Sequence, residues 1–166
     1  MSLPELRTAR LRLRPLQAAD APAVAEGIGD WRVMQWLSSP PWPYRLADAE
    51  WFIGDDASAG AFAIEMGGRV VGIVDAADEF GYWLAVPVWG QGIMSEAARA
   101  VLGWRFVEDQ APLLSGYFLG NGPSRAVLTK LGFAPTRLLP RFHCPMGQTL
   151  ALQEMVLTRE AWEAVR

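Results

Sequence analysis

Residues 80–100, FGYWLAVPVWGQGIMSEAARA, put two glycines where an apolar, aromatic run hands over to an alanine-rich helical pattern. Few features restrict a chain as much. The first part has the β-branched and aromatic content of a strand, and from about Ser95 the apolar residues fall at helical spacing. A helix entered this way presents N–H groups with no intrahelical partner, at the positive end of its peptide dipoles. Glycines at 90 and 92 keep Cβ atoms out of the way of a bulky anion approaching those groups. The segment from Trp89 to Met94 is therefore a candidate cradle for phosphate or pyrophosphate, although a plain strand-to-helix connection uses the same residues.

Two common phosphate motifs are disfavoured by the letters. A Walker loop ends in Gly-Lys-Ser/Thr, and this loop has no lysine. A dinucleotide fingerprint needs a third glycine where Ser95 stands and an acidic residue after the next strand. That strand, LLSGYFL (113–119), is followed by Gly120-Asn121.

The remaining pattern builds one domain around this loop, spanning residues 1–166. RLRLRPL (10–16) reads as a first strand, with Asp20 capping a helix that carries Val24 and Ile28. A second helical piece follows Asp30 and stops at the proline-rich SSPPWPY (38–44); LADAEWFI forms a third. AFAIEM and RVVGIVDA flank Gly67-Gly68 as a hairpin. The helix after the glycine loop runs from about Ser95 to Val107. NGPSRAVLTKLGF (121–133) carries a helix capped at Asn121 or Gly122 and ended by Gly132. A strand near LALQEMVL and a helical turn capped by Thr158 close the chain. The fold class is α+β (α/β), a mixed sheet with helices on its faces.

Composition narrows function by exclusion. A net charge of −3 gives no basic footprint, so nucleic acid is not an expected partner. Arg7, Arg10, Arg12 and Arg14 alternate with leucines and read as the wet face of a strand. No apolar run reaches membrane-spanning length and no leader pattern opens the chain, which points to no membrane and a cytoplasmic location. Cys144 is the only cysteine, so an internal disulfide and a Cys-based metal cage are excluded. His143-Cys144 reads as an incidental pair, since no second histidine exists and no metal is expected. Arg105 falls within the apolar stripe of its helix, where snorkelling or pairing with last-turn carbonyls would accommodate it.

GYWLAVPVWGQGIMSEA resembles the acetyl-CoA-binding motif of the GNAT acetyltransferases, in the RimJ/RimL-like (ribosomal-protein N-terminal acetyltransferase) branch, which includes enzymes acting on protein N-termini and others acting on small amines. TARLRLRPLQAADA (8–21), NGPSRAVLTKLGF (121–133) and MVLTREAWEAV (155–165) resemble further segments of that branch, in its order. The resemblance implies a splayed sheet whose fourth strand, FGYWLAV, parts from the fifth, LLSGYFL, with acetyl-CoA in the gap as co-substrate. It also implies that Leu84, Ala85 and Val86 pair with the pantetheine amides, as a sheet edge taking one more strand. Trp89, Gly90, Gln91, Gly92, Ile93, Met94 and Ser95 would hold the pyrophosphate. Asn121 would reach the pantetheine arm, with Ser124 and Arg125 near the thiol end or flank, unless these two are a first-turn serine and a solvated arginine. The branch implies a monomer or homodimer.

Two departures from the family pattern concern the site. Met94 stands where the family has Gly or Ala, and a larger side chain there would shift the helix or lie against the ligand. Leu128 stands where many members carry a tyrosine general acid.

Transfer to a primary amine needs removal of a proton, because amines are protonated at neutral pH. Glu79 is the first candidate base, with Asp78 and Asp75 as alternates, against a reading of all three as solvated strand-end carboxylates. Backbone N–H groups near Leu84 or Ala85 would polarise the thioester carbonyl, and Ser124 would supply a proton to the leaving thiol. Trp31, Trp36, Trp42, Tyr44, Trp83 and Phe142 suggest an aromatic wall for the acceptor, suited to a peptide N-terminus or an amine on an apolar body. A non-catalytic acyl-CoA-binding or regulatory module is the alternative from another class.

Overall fold

The computed structural model describes residues 3–55 and 58–166. Among them, eight strands form two antiparallel sheets. One has the order β1-β2-β3-β4-β5, from β1 (Leu6–Arg7), β2 (Arg12–Pro15), β3 (Ala61–Met66), β4 (Arg69–Asp75) and β5 (Gly81–Leu84). The other has the order β6-β8-β7, from β6 (Leu113–Phe118), β7 (Ala134–His143) and β8 (Gln148–Leu157). Six helices join them: α1 (Ala21–Ile28), α2 (Trp31–Met34), α3 (Leu46–Gly54), α4 (Ile93–Glu108), α5 (Gly122–Lys130) and α6 (Arg159–Val165).

The sheets meet at a single parallel bridge between Glu79 and Leu114, where the Phe80 N–H donates to the Leu114 carbonyl at 2.7 Å. The mixed character expected of the sheet is confined to this bridge. Immediately beyond it, the Ser115 hydroxyl donates to the Phe80 carbonyl at 2.7 Å, and β5 and β6 then diverge without further pairing. These are the strands expected to part as fourth and fifth. They count as fifth and sixth here because the short β1 precedes them.

Side-chain alternation divides the interior in two. Phe62 and Ile64 of β3 face α4, α5 and α6, in a core that includes Val101, Leu102, Leu128 and Trp162 and reaches Met155 and Leu157 of the second sheet. Ala61 and Ala63 face the other way, with Val70, Ile73 and Trp83, against Val24 and Ile28 of α1, Val33 and Met34 of α2 and Ala49 of α3. In β4, Val70 and Ile73 share a face although three residues apart. A register shift opposite Ile64–Glu65 supplies the extra residue of a bulge. Gly72 sits at this bulge, and a Cβ there would lie 2.4 Å from the Trp83 carbonyl oxygen of β5. The close approach of β4 to β5 thus requires glycine.

Sequence expectations change at several positions. First, Arg14 is buried rather than wet: its guanidinium bonds Asp20 at 2.8 and 2.9 Å and Glu65 at 2.7 Å. Second, Asp20 precedes α1 but does not cap it with its side chain; it accepts from Arg14 and from the Gln17 N–H. Burial alone would raise the Asp20 carboxyl, but those bonds outweigh it and hold the group below the usual carboxylate range. Third, β7 was not foreseen, because Pro135 and Pro140 interrupt it. It lies at the edge of its sheet, where a missing N–H can face away from the ladder.

Arg105 is buried and reaches carbonyls, as expected. Its Nε donates to the Ala76 carbonyl at 3.0 Å, and its guanidinium also meets the backbone carbonyl and carboxylate of Asp109 at the end of α4. His143 is not incidental. It is fully buried, with Nε2 2.8 Å from the Gln35 carbonyl and Nδ1 accepting the Met146 N–H, so it fastens the end of β7 to the segment after α2.

Candidate functional site

The divergence of β5 from β6 opens a cleft of about 580 Å³. Its floor and walls come from β5, the glycine loop, the start of α4, β6 and the first turns of α5. Trp36, Leu37 and Ser38 after α2, together with Arg141 of β7, bound its far end.

The free edge of β5 follows from strand parity. The Phe80 N–H points to β6, whereas the Ala85 N–H donates to Val71 of β4 at 2.8 Å. Even-numbered residues therefore present their backbone to the gap, and the N–H and carbonyl of Leu84 lie on this edge. This corrects the expectation for Ala85, whose N–H is already engaged on the opposite side. The Leu84 carbonyl accepts the Trp89 indole N–H at 2.8 Å, but a carbonyl has two lone pairs and can take a second donor.

The glycine loop has the geometry its letters suggest. Gly90 and Gly92 both adopt left-handed conformations (φ +73 and +74), and Gly92 is the N-cap residue of α4. The first helical bond is from the Glu96 N–H to the Gly92 carbonyl, so the preceding N–H groups are left for a ligand. The loop is braced from outside by contacts that sequence reading missed. Glu96 accepts from the Thr8 hydroxyl at 2.6 Å, the Arg10 N–H at 2.9 Å and the Arg10 Nε at 2.7 Å. Arg10 also donates to the Gln91 carbonyl at 2.9 Å. Burial draws the Glu96 carboxyl upward, but these bonds hold it below the usual carboxylate range. No local signal could have found a contact spanning 86 residues of chain. Met94 turns into the core at 5% exposure and α4 begins regularly at Ile93, so the larger residue does not displace the helix.

At the head of α5, Asn121 caps the helix with its side-chain oxygen, which accepts the Ser124 N–H at 3.3 Å, while Pro123 occupies the first turn. Both Asn121 and Ser124 line the cleft; Arg125 is exposed outside it. The Ser124 hydroxyl lies 2.8 Å from the Tyr82 hydroxyl. Burial pushes the Tyr82 hydroxyl up to about 12, against the opposing effect of its bond to Ser124, so it stays protonated. Period-two alternation along GYWL was the available signal for Tyr82, since it must face opposite to Trp83. Leu128 is completely buried and can supply no acid.

The structure separates the expected carboxylates. Glu79 lines the cleft, with Arg141 3.6 Å away. Asp75 and Asp78 do not line it, and Asp75 is engaged with the Ala77 N–H. It separates the aromatic wall too. Trp36 and Trp83 line the cleft, with Trp83 seated on Gly27 of α1. Trp31 packs against Trp42 in a tilted arrangement with ring centroids 4.9 Å apart, and it shares with Trp36 a neighbouring groove bounded by Leu119 and Met146. Tyr44 packs with the α1–α3 core, and Phe142 is exposed on β7.

Among the described residues, no group of three or more His, Cys, Asp or Glu side chains is arranged to hold a metal ion, and no helix is long and apolar enough to cross a membrane.

A family model described as an acetyltransferase (GNAT) domain matches residues 10–134. Among solved structures, RimJ of Mycobacterium smegmatis in complex with CoA-disulfide is 27% identical, with a TM-score of 0.76 over 90% of this chain and 82% of that one. A GNAT-family acetyltransferase from Bacillus anthracis shares the fold at 21% identity and a TM-score of 0.83, covering 95% of this chain and 99% of its own. The ribosomal-protein-S5-alanine acetyltransferase of Vibrio fischeri shares it at 16% identity and a TM-score of 0.80, covering 96% and 99%. No curated protein matches the chain.

Proposed function

The chain belongs to the GNAT acetyltransferases, and on that premise we propose that residues 1–166 act as one catalytic unit moving an acetyl group from acetyl-CoA directly to a primary amine. The single observation that carries this reading is the splay of β5 from β6. It leaves a free strand edge running into a left-handed glycine loop at a helix N-terminus. That combination suits a ligand with an amide-bearing arm and a pyrophosphate, and the CoA-bound RimJ relative supports it.

In this reading the N–H groups from Gly90 to Ser95 hold the pyrophosphate, and Leu84 pairs with the pantetheine arm. The side-chain NH₂ of Asn121, whose oxygen is committed to the helix cap, faces the same arm. Acetyl-CoA supplies a thioester carbon open to attack by nitrogen. As the N–C bond forms and the C–S bond breaks, Glu79 takes the amine proton through water and returns it to solvent. The Ser124 hydroxyl donates a hydrogen bond to the departing sulfur, whose thiol pKa of about 8.5 makes it a fair leaving group. Phenols are stronger donors than aliphatic alcohols, so Tyr82 donates to Ser124 and leaves the serine's own proton free for the cleft.

Thermal shift with acetyl-CoA, CoA, ATP and NAD tests the donor. A ligand at 100 times its Kd adds about 2.7 kcal/mol, roughly 5–10 °C for a chain of this size. Acetyl-CoA and CoA should give this shift and ATP and NAD should not. Thiol release with an amine panel separates an enzyme from a binding module.

Two variants extend the test. Gly92→Val forces a β-branched residue into the left-handed region, at a cost of about 1–2 kcal/mol, and screens the helix N-terminus. Its shift with acetyl-CoA should vanish even where the protein remains folded. Tyr82→Phe should lower kcat by about 3- to 10-fold with KM for acetyl-CoA unchanged, and Ser124→Ala by a similar or larger factor. If the two losses multiply in the double variant, the hydroxyls do not act as a pair.

A further inference from the structure

Among the described residues lining the cleft, only Glu79 and Arg141 carry charge. They are 3.6 Å apart, an ion pair too long to be a hydrogen bond, and the guanidinium of Arg141 makes no hydrogen bond to any described residue. An arginine with its planar fork of donors unspent, on the wall of a binding cleft, is suited to a carboxylate. From this we infer that the acceptor carries a carboxylate beside its amine, as a free amino acid with an apolar side chain does; this rests on the acetyl-transfer reading above.

The pair sorts acceptors by charge. Glu79 attracts an ammonium group, and Arg141, a few ångströms away, attracts the carboxylate of the same molecule. A polyamine meets a guanidinium where it needs an anion. A peptide N-terminus offers a neutral amide at that point and leaves Arg141 unmatched. The same cleft is lined by the apolar Trp36, Leu37 and Trp83, which suit a hydrocarbon or aromatic side chain. Size agrees: a cleft of about 580 Å³ that must also take the pantetheine arm leaves room for a small acceptor.

Thiol release by the full chain, with acetyl-CoA saturating, compares L-phenylalanine and L-leucine with phenylalaninamide, phenethylamine and a Phe-Ala-Ala-amide peptide. The expected result is a kcat/KM for phenylalanine about 10- to 100-fold above that for phenylalaninamide, carried mainly by KM, as for a charge-assisted hydrogen bond gained or lost. In Arg141→Gln the ratio of these two constants falls towards one, and Arg141→Lys restores part of it. Because Arg141 is partly exposed, both variants should keep the wild-type Tm. Equal or faster turnover of the amide or the peptide by wild type overturns the inference while leaving acetyl transfer standing. So does an undiminished ratio in Arg141→Gln. No stabilisation by acetyl-CoA and no thiol release with any amine overturns both. If no amine is turned over but acetyl-CoA binds, failure of phenylalanine to stabilise the CoA-loaded protein overturns the amino-acid reading directly.

Discussion

Glu79→Gln is expected to lower kcat/KM for amine acceptors by about 100- to 1,000-fold at neutral pH, within the range for loss of a positioned general base. The size follows from the inventory of the cleft. Asp75 and Asp78 lie outside it, so no second carboxylate among the described residues can take over. The side chain of Glu79 is 53% exposed and its ion pair with Arg141 is long, so its removal should shift Tm by no more than a degree or two. Binding of acetyl-CoA, judged by thermal shift, should be unchanged. Steady-state kinetics beside that shift separates a lost base from a lost site. Retention of wild-type kcat/KM would remove Glu79 from the mechanism.

The largest expected effect on stability lies elsewhere, at Asp20→Asn. Arg14 and Asp20 are 8% and 6% exposed, and their bidentate pair is joined by Glu65. Removing the Asp20 charge leaves the buried guanidinium with Glu65 as its one carboxylate partner, which costs on the order of 3 kcal/mol, or roughly 6–12 °C in Tm for this length. The loss should depend on pH. Asp20 has a depressed carboxyl pKa in the folded protein, so the folded chain holds this proton less readily than the unfolded one. The resulting stability is complete above the unfolded value of about 3.9 and is lost as pH falls through the folded value. The Tm difference between wild type and Asp20→Asn should therefore be constant from pH 8 to 5 and shrink below pH 4. A difference that stays constant to pH 3 would mean that the charge on Asp20 is not what stabilises the fold.

The parts of the molecule legible in the sequence are those whose physics is local. The glycine loop, the hairpin at Gly67-Gly68, the Asn121 cap and the alternation of β3 depend on neighbouring residues, and each appears where its pattern stands. Contacts between distant segments left no such mark. The clamp of Thr8 and Arg10 on Glu96, and the approach of Arg141 to Glu79, arise only when strands meet in three dimensions. Arg14 illustrates the limit of periodicity: alternation correctly gave a strand, but the partners that bury its charge lie in β3 and before α1. The prolines of β7 hid a strand because edge position is a property of the sheet. The aromatic wall divided in the same way, since spacing alone cannot tell Trp36, which reaches the cleft, from Trp42, which rests on Trp31.

The opposed faces of the first sheet have a consequence for descent. On the proposed function, donor recognition draws on the glycine loop, α4 and α5 over one face, whereas α1 to α3 are anchored in a separate interior on the other. Mutations that accumulate in α1 to α3 act on Trp36 and on the seat of Trp83 without passing through the residues that brace the loop. On the proposed function, the part of the acceptor wall that α1 to α3 support can therefore drift within a single layer, while the loop that would hold the donor is left untouched.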